Sequence, residues 1–271
     1  MSTSPSAVSE SAIVTRLRAA GCVFAEDEAQ LLISAAPDPA ELDAMVERRV
    51  VGLPLEHVLG WAEFCGLRVA VDHLVFVPRI RTEFLVGQAA ALARALGAER
   101  RSRTVVVDLC CGSGALGAAL AATIGRVELH AADIDPAAVS CARRNLGTAG
   151  GEVYEGDLYE PLPATLRGRV DILLANAPYV PTEAIGLLPP EARMYEARVA
   201  LDGGADGLDI QRRVAAEAAE WLAPGGHLLV ETSERQAPLT VGVFTRHGLM
   251  PRLVTCDELD ATVVIGTRPE R

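Results

Sequence analysis

The sequence contains no lysine. All 25 of its basic residues are arginine, against 36 acidic residues, so that its formal net charge is −11. Because phosphate contacts supply most of the affinity of a protein for nucleic acid, this acidic balance argues against direct nucleic-acid binding. A local basic patch would still be compatible with the same overall charge.

Long apolar runs and metal-ligand spacings are also missing. No apolar run reaches the roughly 18 residues that a membrane-spanning helix requires, and Met1–Pro5 lacks the basic-then-apolar arrangement of a signal peptide. The six cysteines form no C-x-x-C pair and the five histidines are scattered, so the spacing predicts no metal site. We therefore expect a cytoplasmic protein without membrane contact, and we expect it to be a monomer.

Residues 1–62 have the periodicity of a small helical bundle. Val8, Ile13 and Leu17 share one face of the first predicted helix. The three predicted helices end near Gly21, Ala36 and Gly52. Two interpretations stay open for this module: a cap on the core of the protein, or a docking module for a large substrate.

A β-hairpin linker is predicted for residues 63–80. Two runs rich in valine, leucine and phenylalanine flank Asp72-His73, which we expect to form the turn. Arg79, Arg81 and Glu83 follow where the hairpin meets the next domain, so a role in closing the substrate site is open for all three. We predict that Arg79 and Glu83 bind substrate, although solvated surface charges would give the same pattern.

Residues 81–271 alternate between strands and helices, which is typical of a parallel sheet with helices on both faces. The predicted strands are 104–109, 127–133, 152–155, 170–175, 226–232, 249–256 and 262–267. The last two follow each other closely and predict an antiparallel pair at the sheet edge. Ligands of such sheets bind at the carboxyl ends of the strands.

A loop rich in glycine follows the first of these strands. Glycine leaves room for a ligand against the main chain, but the G-x-G-x-x-G pattern of a dinucleotide site is absent because Cys110 stands at its first glycine position. Asp108, at the strand end, suits an amine-bearing ligand better than a pyrophosphate. The residues of this loop that we predict to bind a cofactor are Asp108, Cys110, Cys111, Gly112 and Gly114.

Acidic residues also end the next two predicted strands. Asp133 could accept hydrogen bonds from both hydroxyls of a ribose, whereas Asp135 precedes a proline and fits a helix cap. Asp157 could hold an adenine edge, with Ile134 and Leu158 beside the same ligand. An adenosine without phosphates but with an amine describes S-adenosylmethionine.

The tetrapeptide Asn176-Ala177-Pro178-Tyr179 follows the predicted strand 170–175. Asn176 Oδ1 and the Ala177 carbonyl could each accept one hydrogen of a planar NH2 group, with that carbonyl aimed by Pro178. Tyr179 could stack on the acceptor. Because positioning and electrostatics can carry methyl transfer to such a nitrogen, no strong general base is needed. We predict that these four residues are catalytic and bind the acceptor, and that Asn176 also touches the cofactor.

The tetrapeptide resembles the N-P-P-Y motif of class I, S-adenosylmethionine-dependent amino-methyltransferases. Other stretches resemble the HemK/PrmC family of protein-(glutamine-N5) methyltransferases, and the likeness runs from about residue 11 to 268. Those stretches are 54–60 with Glu63-Phe64, Val77-Pro78-Arg79 with Thr82-Glu83, and 200–208.

This resemblance implies a class I methyltransferase fold: a seven-stranded Rossmann-like sheet, preceded by the helical module and the hairpin. It implies transfer of a methyl group from S-adenosylmethionine, leaving S-adenosylhomocysteine, to the glutamine of a Gly-Gly-Gln loop in a peptide chain release factor. By the same resemblance, residues 108–114, Asp133 and Asp157 bind the donor, and the N-terminal module docks the release factor.

Two positions depart from the family pattern. Ala177 replaces the first proline of the motif, and Glu231-Thr232-Ser233 replaces a glutamate-x-glycine sequence. A divergent branch acting on another protein, a small-molecule amide or a nucleobase is therefore an alternative, as is a catalytically silent adaptor that binds S-adenosylmethionine. A nicotinamide-dependent oxidoreductase is disfavoured by the missing glycine motif.

Overall fold

The computed structural model describes residues 9–99 and 103–270 of the chain. Val8, which we placed on the first helical face, lies outside the described residues. The described residues form an N-terminal group of helices, a two-stranded hairpin and a seven-stranded sheet covered by helices. None of the helices in these two ranges is long and apolar enough to cross a membrane.

The N-terminal module has its own apolar cluster, which includes the fully buried Ile13, Leu17 and Leu32. Asp38 caps the third helix, because its carboxylate accepts hydrogen bonds from the N–H groups of residues 40 and 41. The helical prediction for this part of the chain is confirmed. The helices are α1 (Glu10–Ala19), α2 (Ala25–Ala35), α3 (Pro39–Val50) and α4 (Leu55–Leu59).

The hairpin exists, but the predicted position of its turn is wrong. Strand β1 (Trp61–Phe64) pairs antiparallel with β2 (Leu67–Ala70), and Cys65-Gly66 forms the turn. Both turn residues have positive φ angles, 49° and 73°, which a two-residue hairpin of this twist requires. Cysteine rarely adopts this conformation, so the sequence carried little signal there. Asp72-His73 lies beyond the second strand instead.

The large sheet has the strand order β5-β4-β3-β6-β7-β9-β8. Pairing is parallel from β5 to β7, whereas β9 runs antiparallel to both of its neighbours. The predicted parallel sheet with an antiparallel edge is therefore confirmed. Its strands are β3 (Thr104–Leu109), β4 (Val127–Asp133), β5 (Glu152–Glu155), β6 (Val170–Ala175), β7 (Leu222–Thr232), β8 (Met250–Cys256) and β9 (Ala261–Thr267).

Two apolar cores lie on opposite faces of this sheet, because successive side chains of a strand point to opposite sides. In β6, Ile172 and Leu174 belong to one core, and Leu173 and Ala175 belong to the other. Helices α5 (Glu83–Glu99), α6 (Ala115–Ile124) and α7 (Pro136–Gly147) cover the first core, and α9 (Asp209–Trp221) and α10 (Ala237–Arg246) cover the second.

Strand register brings the predicted site segments together. Leu109 at the end of β3 is paired with Ala132 on one side and with Ala175 on the other. The glycine-containing loop after β3 and the tetrapeptide after β6 therefore leave the sheet side by side. A segment that the strand–helix pattern did not predict follows the tetrapeptide. It contains the short helix α8 (Pro190–Tyr195) between two 3-10 helices, Thr182–Leu187 and Arg198–Ala200.

Candidate active site

A cavity of about 780 Å³ opens at the carboxyl ends of the parallel strands. This volume lies in the range of roughly 300–1,000 Å³ that is usual for small-molecule sites. The predicted site residues that line it are Arg79, Cys110, Cys111, Gly112, Asp133, Ile134, Asp157, Leu158, Asn176, Ala177, Pro178 and Tyr179. Three other predicted residues, Asp108, Gly114 and Glu83, are not part of the lining.

The carboxylate of Asp133 ties the loop after β3 to the end of β4. Gly112 N–H donates to Asp133 Oδ2 over 2.8 Å, and Asp135 N–H donates to Asp133 Oδ1 over 2.9 Å. Burial raises the pKa of Asp133, and these two hydrogen bonds act in the opposite direction. A Cβ placed on Gly112 would meet no atom within 4 Å, so the space in front of this backbone is open.

Asp108 and Gly114 lie behind the loop and shape it. Asp108 is 1% exposed, and its Oδ2 accepts a hydrogen bond of 3.0 Å from Gly117 N–H in α6. Burial raises the pKa of this carboxyl to about 7. Gly114 precedes α6 with a φ of 77°, and a Cβ there would meet Leu146 and Ala142 at 3.0 and 3.2 Å. Both residues support the loop without reaching the cavity.

The end of β5 brings a second carboxylate to the cavity wall. Asp157 Oδ2 accepts a hydrogen bond of 2.7 Å from Arg213 Nη2 in α9. Arg213 also lines the cavity, and sequence reasoning missed it, because it is one of several charged residues on the polar side of an amphipathic helix. A charge pair thus borders the place predicted for an adenine.

The tetrapeptide presents an unsatisfied acceptor. Asn176 Oδ1 is buried and has no hydrogen-bond partner among the described residues. Leaving a buried carbonyl oxygen unpaired costs about 1–3 kcal/mol. Asn176 lines the cavity, so this oxygen is suited to an N–H group of a bound molecule. Ala177 beside it is 1% exposed.

Residues 200–208 brace the tetrapeptide from outside. Val180 N–H donates to the Leu201 carbonyl over 3.1 Å, and Gly203 N–H donates to the Val180 carbonyl over 2.9 Å. A Cβ on Gly203 would lie 2.7 Å from the Pro178 carbonyl oxygen and 2.6 Å from that of Gly207. Only glycine therefore fits at position 203, which gives a physical reason for the glycines of this segment.

Tyr179 is fixed by three side chains that sequence reasoning did not assign to the site. Its hydroxyl donates to Glu231 Oε1 over 2.9 Å and accepts from Arg81 Nη2 over 3.0 Å. Its carbonyl accepts from Gln236 Nε2 over 2.9 Å. Burial and the negative charge of Glu231 raise the pKa of the Tyr179 phenol above its usual range.

Arg79 and Glu83 hold backbone segments in place. Arg79 Nη2 lies 2.7 Å from both carboxylate oxygens of Glu196, which follows α8, and Glu196 Oε1 also accepts from Val77 N–H over 3.1 Å. Arg79 therefore ties the linker to the cavity wall. Glu83 accepts a hydrogen bond of 2.7 Å from Cys65 N–H in the hairpin turn, away from the cavity lining.

The N-terminal module contacts the same wall. Arg49 Nη1 and Glu191 Oε1 are 2.6 Å apart, and the Tyr195 hydroxyl donates to the Val51 carbonyl over 3.2 Å. Glu191 lines the cavity together with Pro54 of the N-terminal part. No group of His, Cys, Asp and Glu residues that could hold a metal ion occurs in the described part of the chain.

Known proteins match this chain over most of its length. The family model "Methyltransferase small domain" matches residues 87–204. A release factor glutamine methyltransferase from Geobacter sulfurreducens is 39% identical over 236 residues, which cover 85% of this chain and 80% of the relative. The chain belongs to the release factor glutamine methyltransferase family. It is therefore an S-adenosylmethionine-dependent methyltransferase.

Two further similarities bear on acceptor and fold. A 4-amino-L-phenylalanine/4-methylamino-L-phenylalanine methyltransferase from Streptomyces pristinaespiralis is 34% identical over 237 residues, 86% of this chain and 80% of that protein. The crystal structure of a ribosomal protein methylase from Lactobacillus delbrueckii matches with a TM-score of 0.51 at 15% identity, over 73% of this chain and 84% of that one. This structural match agrees with the class I methyltransferase fold of the sheet.

The residues around the cavity fit S-adenosylmethionine. The open space at Gly112 can take a ligand against the main chain, and Asp133 and Asp157 present carboxylates at two neighbouring strand ends. Asn176 Oδ1 provides a buried acceptor without a partner in the described structure. These features suit a molecule that combines hydroxyl and amine donors with an adenine, and no residue for a pyrophosphate is required.

Proposed function

We propose that this methyltransferase modifies the side-chain amide nitrogen of a glutamine in a protein, and that this glutamine belongs to the Gly-Gly-Gln loop of a peptide chain release factor. The observation that carries the proposal is the buried, unpartnered Asn176 Oδ1 at the end of β6. The name and the coverage of the Geobacter sulfurreducens relative support the same acceptor.

The donor side of the cavity is assigned to the loop after β3 and the ends of β4 and β5. Asp133 accepts from the ribose hydroxyls, Asp157 lies at the adenine edge, and Gly112 leaves the backbone open to the ligand. Cys110, Cys111, Ile134 and Leu158 supply the apolar contacts. When it is bound, S-adenosylmethionine supplies an activated methyl group.

The acceptor side is assigned to the tetrapeptide. An amide nitrogen is a poor nucleophile, because its lone pair is conjugated with the carbonyl. Asn176 Oδ1 and the Ala177 carbonyl accept its two N–H hydrogens and so turn the lone pair towards the methyl group. The Tyr179 hydroxyl is occupied by Glu231 and Arg81, so we assign no base function to it. Orientation of the two reactants then carries most of the rate enhancement.

The N-terminal module, which we assign to residues 1–62, is proposed to dock the protein acceptor. Exposed apolar side chains of this module lie close to the cavity wall: Val51 is 64% exposed, and it borders a cleft of about 310 Å³ together with Met194 of α8, which is 58% exposed. Contiguous apolar surface is typical of protein–protein contacts, and this cleft joins apolar side chains of the module to those of α8. The contact between Arg49 and Glu191 links this surface to the cavity.

A small aromatic amine is the second candidate acceptor. An aniline nitrogen is also conjugated with a π system, so the same tetrapeptide could hold it. Two observations favour this candidate: Ala177 in place of the proline of the family motif, and the similarity to the 4-amino-L-phenylalanine/4-methylamino-L-phenylalanine methyltransferase.

The test is a comparison of acceptors with labelled S-adenosylmethionine. We expect label on a release factor that contains Gly-Gly-Gln, located on the glutamine by mass spectrometry, and no label when that glutamine is replaced by asparagine. 4-Amino-L-phenylalanine is tested as the acceptor in a parallel reaction. Label on this amine alone would reject the release factor as acceptor and support the second candidate. The Asn176→Ala enzyme controls for contaminating activity.

A further inference from the structure

Arg81, Tyr179 and Glu231 form a closed group of contacts at the end of the tetrapeptide. The Tyr179 hydroxyl donates to Glu231 Oε1 over 2.9 Å, Arg81 Nη2 donates to the Tyr179 hydroxyl over 3.0 Å, and Arg81 Nε lies 3.3 Å from Glu231 Oε1. The three residues come from the segment before α5, the loop after β6 and the end of β7. Each of them contacts the other two.

The sheet brings this group together. Ala175, the last residue of β6, is paired with Val230 of β7. Glu231 therefore stands at the strand end next to the tetrapeptide. Its side chain is 3% exposed, and Arg81 is its ion-pair partner within the described residues. An unpaired buried charge is strongly destabilising, so this carboxylate needs its charge partner. The contacts with Arg81 and Tyr179 are both made by Oε1, whereas Oε2 is buried without a hydrogen-bond partner among the described residues.

The contacts leave the phenol little freedom to act on a substrate. A phenolic hydroxyl has one hydrogen to donate, and in Tyr179 that hydrogen goes to Glu231. The phenolic oxygen also accepts a hydrogen bond from Arg81. Both contacts restrict rotation of the ring, and Tyr179 lines the cavity. The part of Tyr179 that remains for an acceptor is the face of its ring.

We propose that Glu231 and Arg81 are positioning residues, which hold the Tyr179 ring in the orientation that stacks on the acceptor. Tyr179 then acts through its ring face and not through its hydroxyl. This inference rests on the proposed methyl transfer at the tetrapeptide, but it is independent of which acceptor carries the nitrogen.

A double-mutant cycle tests the inference. Tyr179→Phe keeps the ring and removes its anchor, so kcat should fall roughly 10-fold, as expected for one lost hydrogen bond to a charged group. Glu231→Gln keeps an oxygen that can accept from the Tyr179 hydroxyl but loses the charge that strengthens this hydrogen bond, so its fall in kcat should be smaller, and the double variant should be no slower than the slower single variant. Donor affinity, measured by calorimetry, should stay within a few-fold of the wild-type value in both single variants and in the double variant. Tyr179→Ala, which removes the ring, should be slower than Tyr179→Phe.

Glu234→Gln is the matched control, because Glu234 is an exposed glutamate three positions further on. It should leave kcat and the unfolding temperature unchanged. An equal loss of kcat on Glu231→Gln in the wild-type and Tyr179→Phe backgrounds would overturn the inference, since Glu231 would then act independently of Tyr179. Wild-type kcat in Tyr179→Phe would overturn it as well.

The cycle is measured with whichever of the two acceptors the wild-type enzyme methylates, so failure on release factors rejects the proposed function without removing this test. Wild type, the Tyr179→Phe and Glu231→Gln variants and the double variant are also compared by thermal unfolding, which needs no acceptor. Non-additive changes in unfolding temperature are expected for Glu231 and Tyr179. Additive changes would show that the ring is not anchored by Glu231.

Discussion

Arg49 of α3 and Glu191 of α8 are 142 positions apart in the chain, and Arg49 Nη1 lies 2.6 Å from Glu191 Oε1. The same guanidinium contacts Glu28 of α2, with a distance of 2.6 Å between Nε and Oε2. One side chain of the N-terminal module therefore joins a partner inside the module to a residue of the cavity wall. The two ion pairs differ in burial, since the Glu28 side chain is 11% exposed and that of Glu191 is 47% exposed.

We expect this difference in burial to decide the stability of two charge-removing variants. Glu28→Gln leaves the buried Arg49 without its buried charge partner and should lower the free energy of unfolding by about 3 kcal/mol. Glu191→Gln should lower it by at most about 1 kcal/mol, because an exposed pair is screened by water. Urea unfolding of both variants measures the difference. Equal costs would contradict the view that the Arg49–Glu28 pair is the structural one.

Replacing Asn176 by alanine removes the buried amide oxygen that has no partner within the described residues. We expect turnover to fall by more than about 100-fold, the usual cost of a group that holds the reacting atoms. Donor affinity should change by no more than a few-fold. Thr182→Ala is the matched control, since the Thr182 hydroxyl donates to Asp202 outside the cavity lining. Full activity of Asn176→Ala would refute the proposed mechanism.

Asp133 and Asp135 are expected to separate into two roles. Asp133→Ala removes the acceptor assigned to the ribose and should weaken donor binding by roughly 1–3 kcal/mol. Asp135 Oδ1 accepts from Ala137 N–H over 2.9 Å and caps α7, so Asp135→Ala should cost about 1 kcal/mol of stability and leave donor binding within a few-fold. Calorimetric titration with S-adenosylhomocysteine measures the affinity of the donor site in both variants. Weaker donor binding in Asp135→Ala than in Asp133→Ala would assign ribose binding to Asp135.

The buried carboxyl of Asp108 predicts a pH dependence of stability. Its pKa is about 7 in the folded protein and 3.8 in an ordinary environment, so between these values the folded protein keeps a proton that the unfolded chain releases. Its contribution to stability is therefore fully present below about pH 4 and is lost as the pH rises towards 7. We expect wild type to lose stability relative to Asp108→Asn between pH 4 and pH 8, measured by urea unfolding. If the free energy of unfolding changed equally with pH in both proteins, the raised pKa of Asp108 would be contradicted.

The strands of the sheet could be predicted closely from the sequence. Predicted and observed bounds coincide for β3, β4, β5 and β6, because each ends at a polar or glycine-containing loop. The turn of the hairpin could not be predicted, since a positive φ at Cys65 has no distinctive sequence signal. The segment with α8 was also missed, because it is short and has no apolar periodicity.

The site residues divide in the same way. Those that end a strand or directly follow one, such as Asp133 and Asn176, could be found by reasoning about strand ends. The contacts of Arg81 and Arg213 could not, since their partners are distant in the chain: Arg81 and Glu231 are 150 positions apart, and Arg213 and Asp157 are 56 apart. Asp108 was assigned to the cofactor by position, but its side chain turns into the protein and bonds to α6.

The sequence by itself determined the class of sheet, the strand ends at which the ligand site forms and the tetrapeptide that suits an NH2 group. These are local properties, since apolar periodicity, glycine, proline and a strand-end carboxylate act within a few residues. Only the tertiary structure decided which charges reach the cavity and which support it. Burial and long-range pairing set those roles: Arg79 is bound to Glu196, whereas Arg81 is bound to the tyrosine of the tetrapeptide.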